Sequence, residues 1–150
     1  MDNLTIPIWK RPLDILLVFL FTAYSFTWLT FDIPTTLGRP KSERDRKFLE
    51  KTSPLWLNPP PFMRFLLGLV AFLYGPCFPI LIYGLIRNRS WVSQLGKFLS
   101  GLLTITNSLL FFKELTSATP PPNKPLFFAS NGPYFLAVFL LAYRSLKKAK

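Results

Sequence analysis

The sequence predicts an all-α fold: an integral membrane bundle of four helices, kinked in its second and fourth spans. Three observations carry that prediction. Half of the 150 residues are apolar and 17% are aromatic, yet the formal net charge is +11. A soluble domain of this length rarely combines 16 Phe with 15 Pro, and a disordered chain would lack the aromatics. Lys and Arg fall in the gaps between four apolar runs and at the C-terminus, where a membrane protein keeps them. On that distribution nucleic acid is not an expected partner. The length predicts a single domain over residues 1–150, with spans at about 13–32, 62–86, 91–112 and 125–143.

The first span is the clearest. Leu13 to Phe31 is an apolar and aromatic run of 19 residues, interrupted by hydroxyls and by Asp14. At about 1.5 Å per residue it crosses a hydrocarbon core of roughly 30 Å. Lys10-Arg11 flank it, Pro12 suits its first turn, and Asp14 meets the positive end of the helix dipole. Trp9 and Trp28 lie near its two ends, as aromatic belts do. The run is too long for a signal-peptide core and no small-residue cleavage site follows it, so it is expected to stay in the mature protein. Asp32 closes the span, two residues before Pro34, which is expected to stop the helix. An acid there faces the wrong end of the dipole and carries a solvation cost beside the hydrocarbon, which makes it a functional-site candidate.

From Thr35 to Pro61 the chain is polar and punctuated by proline. Ser42 can cap a short helix through Lys51, whose mixed charges suit either a solvated loop or a helix lying on the membrane surface. The second span reads LYGPCFPIL at its middle, so Pro76 and Pro79 are expected to kink it and free backbone carbonyls that must find partners within the protein. In the third span Gly96, Ser100, Thr104 and Ser108 recur at four-residue steps, with Lys97, Gly101 and Asn107 beside them. That stripe is a packing face, or the lining of a ligand pocket through residues such as Thr104 and Asn107. The fourth span contains Asn131-Gly132-Pro133-Tyr134, a second expected break, with Pro133 as its kink residue.

Chemistry is restricted by what the chain lacks. It has no histidine, so imidazole bases and Ser-His or Cys-His nucleophiles are excluded, and Cys77 alone makes neither a disulfide nor a metal cluster. No cofactor or metal is expected. Four spans put both ends on one side, and eight Lys or Arg flank the spans on each side, so positive-inside counting gives a tie. The tail breaks it: Lys147 and Lys148 are placed like a dilysine retrieval signal, read in the cytosol and retaining proteins in the endoplasmic reticulum, although a basic juxtamembrane tail has the same composition. With cytosolic ends, the sequons at Asn3-Leu4-Thr5 and Asn88-Arg89-Ser90 would stay unmodified.

The order of these features resembles the EXPERA-domain family, which unites the emopamil-binding sterol isomerase with the sigma-2 receptor group. Asp14 and Asp32, 18 residues apart, follow the sigma-2 pattern. NPPPF precedes the second span, CFPILIYGLI resembles the family's FPI motif, and GPYFL resembles its APYLL before a lysine-rich tail. The resemblance implies four helices of the endoplasmic reticulum around an apolar pocket that receives sterols and lipophilic amines. It places the cation-binding acid of the receptor on Asp32 and a pocket tyrosine on Tyr134, with Asn131 in place of another tyrosine. It also implies departures: the receptor's second pocket acid falls near Val70, a loop acid falls near Ser53, and the isomerase histidine has no counterpart.

The function expected is therefore a non-catalytic sterol- or amine-binding membrane protein with Asp32, Tyr134, Asn131, Thr104, Asn107 and Tyr74 as its pocket residues. Isomerisation of a sterol double bond needs a proton donor and an acceptor, and Glu114, at a helix end, is a poor second acid. The alternatives are a structural or escort subunit whose third-span stripe holds a partner membrane protein or a second copy, and, more weakly, a sterol isomerase with a rearranged site.

Overall fold

The computed structural model describes residues 6–147. Helix α1, Pro12–Thr36, begins with a proline whose missing N–H has no helical partner to lose. It is α-helical over Pro12–Thr27, widens into a π turn over Trp28–Asp32, and returns to α over Ile33–Thr36. Pro34 does not stop it. The Ile33 N–H already reaches back to the Trp28 carbonyl where the hydrogen bonding changes step, so the proline ring enters at a junction that is irregular anyway.

Helix α2, Glu43–Thr52, is capped by Ser42, whose Oγ accepts from the Asp45 N–H at 3.1 Å. Its Glu43–Lys47 and Arg46–Glu50 pairs are solvent-exposed and contribute little. Ser42→Ala is expected to destabilise this helix by about 1 kcal/mol, read as faster hydrogen exchange confined to Glu43–Thr52. Helix α3, Pro61–Tyr74, ends in a second π turn, Val70–Tyr74, and α4, Cys77–Ile86, leaves it at 42°. The bend lies at Gly75-Pro76. Pro79 sits in the first turn of α4, where a missing N–H breaks no bond, so it is not a kink residue. Helix α5, Val92–Leu115, and α6, Lys124–Lys147, are uninterrupted. Helix α6 continues through Pro133, and one turn earlier the Asn131 amide and the Ser130 hydroxyl both donate to the Phe127 carbonyl.

Among the described residues three helices are long and apolar enough to cross a membrane, and the bent α3–α4 pair passes the same test when its two helices are taken together. Only 22–33% of each long span's apolar window is buried. Phe19, Phe26 and Phe139 are at least 70% exposed, a surface that suits hydrocarbon and not water. The protein is a multi-pass membrane bundle. Its interior is a column of Leu17, Phe21 and Tyr24 from α1 against Phe78 and Leu81 from α4 and Leu99 and Leu141 from α5 and α6.

The third-span stripe divides. Gly96 and Ser100 are buried, and a Cβ on Gly96 would run into the Ser145 hydroxyl of α6, so this half is a close helix–helix approach. Thr104 and Ser108 are exposed. A four-residue step turns 400° at 100° per residue, so the stripe winds by about 40° per step out of the contact.

At the end of the bundle that gathers the start of α1 and the end of α6, Asp14 is 3% exposed and does more than meet a dipole. Its carboxylate takes Arg144 Nε at 2.8 Å and also pairs with Arg11, which in turn donates to the carbonyls of Leu85 at 2.8 Å and Ile86 at 2.9 Å. One carboxylate thus ties α1, α4 and α6 together. Lys148 and the Asn3 sequon lie outside the described residues.

Candidate functional site

The opposite end of the bundle holds a cavity of about 300 Å³ among α1, α3, α5 and α6, with α2 and the Pro54–Trp56 turn forming its outer wall. That volume is at the lower end of the range for small-molecule sites. Both π turns contribute to it: Phe31 and Asp32 come from the first and Val70 from the second. Irregular turns of this kind recur at functional sites because they redirect side chains without ending the helix.

The walls are mainly aromatic and aliphatic. Phe31 meets the Trp56 ring edge-on at 5.8 Å, and Phe111 packs against Phe135 at 5.4 Å. Polar groups converge on one side. The Tyr134 hydroxyl donates to Thr27 Oγ1 at 3.2 Å, and the Tyr24 hydroxyl donates to the Tyr134 carbonyl at 2.7 Å, with the two rings at right angles 4.5 Å apart. Asn107 reaches toward Tyr24 from α5, and its Nδ2 is buried without an acceptor.

Of the residues singled out in the sequence, Asp32, Tyr134, Asn131 and Asn107 line this one cavity. Tyr74 and Thr104 do not. Tyr74 is buried in the central column, and Thr104, exposed, folds its hydroxyl back onto the Ser100 carbonyl at 2.6 Å. Thr104 follows the cavity-lining Leu103 by one residue on α5, a turn of about 100° that places it on the outer side.

Glu114 is the residue the sequence undervalued. It lines the cavity from the last turns of α5, is 3% exposed, and its Oε1 is buried with no hydrogen-bond partner, beside Ser53 and Trp56. The signal was available. Leu103, Asn107, Leu110, Phe111 and Glu114 follow one helical face, and Glu114, like Asp32, is an acid at the wrong end of the dipole. With Asp45 at the outer wall the lining holds three carboxylates and no Lys or Arg. Outside the spans, Lys41 sits 4.8 Å over the Phe31 ring and donates to Thr35 Oγ1; desolvation pulls its ammonium below the usual lysine range, with Asp45 opposing the shift.

Residues 41–145 match the family described as EBP: EXPERA (EXPanded EBP superfamily). The chain belongs to the EXPERA family. No curated protein and no solved structure matches it. The matched residues of this EXPERA protein include Glu114, Asn131 and Tyr134, whereas Asp32 precedes them. Asp32 is therefore set apart by its place in the cavity.

Among the described residues no metal-binding cluster of acids and cysteine is present. What this site can do is hold an apolar body while carboxylates and amides meet its polar groups.

Proposed function

We propose that this EXPERA protein is a receptor of the sigma-2 type, which takes a sterol or a lipophilic amine into its intramembrane cavity without transforming it. The observation that carries the proposal is Asp32: its carboxylate faces an apolar cavity, and no hydrogen bond or ion pair engages it among the described residues. An acid in such a place is costly until a cation or hydroxyl donor arrives, so a ligand that supplies one gains a charge-assisted bond. Residence in the endoplasmic reticulum, with both ends in the cytosol, is part of the same proposal and rests on the family resemblance.

The test is equilibrium binding of a radiolabelled lipophilic amine to the full chain in detergent or nanodiscs. Asp32→Asn keeps the shape and removes the charge, and is expected to raise Kd at least about tenfold. Unchanged affinity would sink the assignment.

One observation favours a second reading, a sterol isomerase with a rearranged site. The premise that no second acid could serve in the spans fails, since Glu114 and Asp32 line the same cavity and could act as a donor and an acceptor pair. Growth of a sterol-isomerase-deficient strain on this protein, lost in Glu114→Gln, would replace the receptor proposal by the enzyme.

A further inference from the structure

The charge census of the cavity is the reverse of the chain's. Across the whole sequence 18 Lys and Arg outnumber 7 Asp and Glu. Around the cavity stand three of those acids, Asp32, Asp45 and Glu114, and none of the bases. Elsewhere in the bundle a buried acid is met by cations of the protein, as Asp14 is by Arg11 and Arg144. In the cavity that neutralisation is missing at two separate places. Asp32 comes from α1, and Glu114 comes from the end of α5 with its Oε1 buried and unpartnered. Much of the remaining lining is hydrocarbon, including Val70, Leu110 and Phe111.

We infer that the cavity takes a two-headed ligand: an apolar body with cationic, hydrogen-bond-donating groups at two separated positions, one meeting Asp32 and the other meeting Glu114. The physical reason is that a carboxylate facing an apolar cavity is poorly solvated, and no Lys or Arg lines the cavity to neutralise Asp32 or Glu114, the latter having only the neutral groups of Ser53 and Trp56 beside it. A ligand with a single cation can relieve only one of them. Asp45, at the outer wall, is already engaged by the Ser42 hydroxyl at 2.6 Å, and it favours the approach of cations without forming a third contact. The inference rests on the amine-binding proposal above and adds the second contact to it.

The probes are a 1-aminoalkane and the α,ω-diaminoalkanes of matching and neighbouring chain lengths, with binding measured by competition against a bound fluorescent amine on the full chain in nanodiscs. At the best-fitting length the diamine is expected to bind about tenfold tighter than the monoamine, the size of one charge-assisted bond. Glu114→Gln is expected to erase that advantage, bringing the ratio of diamine to monoamine affinity to about one, and Glu114→Asp to keep part of it. Asp32→Asn is expected to weaken both probes. A diamine advantage that is absent, or that survives Glu114→Gln, overturns the inference and leaves the Asp32 contact standing. Monoamine affinity insensitive to Asp32→Asn overturns the receptor proposal separately, and failure of both probes to bind the wild-type chain overturns both. Unfolding midpoints equal to wild type show that the variants retain their fold; if Glu114→Gln fails that control, Glu114→Asp with its weaker diamine preference decides.

Discussion

Replacing Asp14 by Asn is expected to destabilise the protein by about 3–5 kcal/mol, the usual cost of removing one partner from a buried ionic cluster. Asp14 and Arg144 are each 3% exposed, and the Asp14 carboxylate receives both Arg144 Nε and Arg11. Asparagine keeps the shape but leaves two guanidinium groups facing one another without a counter-charge. Arg11 retains the Leu85 and Ile86 carbonyls, whereas Arg144 retains nothing comparable, and its Nη1 is already unpartnered. The companion variant follows from that difference. Asp14→Asn combined with Arg144→Met should recover a large part of the loss, because it removes the stranded charge. Denaturant unfolding in detergent micelles reads both. A single-variant change below about 1 kcal/mol would show that the cluster is hydrated and contributes as a surface pair does.

Gly75→Val is the second large effect. The Trp28 indole lies where a Cβ on residue 75 would stand, and its Nε1 donates to the Ala71 carbonyl at 2.7 Å. That carbonyl belongs to the π turn before the α3–α4 bend, where the regular ladder does not satisfy every acceptor. Valine has to displace the indole. The expected cost combines overpacking, about 1–3 kcal/mol, with an acceptor left unpaired, about 1–3 kcal/mol. Gly101→Ala is the control: nothing lies within 4 Å of the added atom, and α5 should gain about 0.5–1 kcal/mol. Equal unfolding midpoints for the two variants would mean that the indole is not held there.

What the sequence shows of this protein is its apolar runs and its local electrostatics. The spans are legible because hydrocarbon selects long apolar stretches regardless of how they pack. Asp32 is legible because an acid beside a helix C-terminus is unfavourable on local grounds alone. Glu114 has the same local oddity, but position at a helix end suggested solvent, and only the fold shows Ser53 and Trp56 covering it. The role of Asp14 was half-legible. The dipole accounts for an acid in the first turn, yet its pairing with Arg144 spans 130 residues of sequence and no local rule reaches that far. Prolines were misread where context decides their effect. Pro34 and Pro79 fall at a change of helical step and in a first turn, two places where an absent N–H costs little.

The π turn of α1 has a consequence for phase. Such a turn amounts to one residue more than the regular helix needs, inserted between Trp28 and Asp32. Each residue of an α-helix turns the next by about 100°. A π turn takes about one residue more to come round, so deleting Thr30, which faces outward, would let the ladder close regularly while the side chains before and after it keep roughly their bearings. Trp28 would stay on α3 and Asp32 would stay on the cavity side. The surplus residue thus widens the wall of the cavity without deciding which way the acid points.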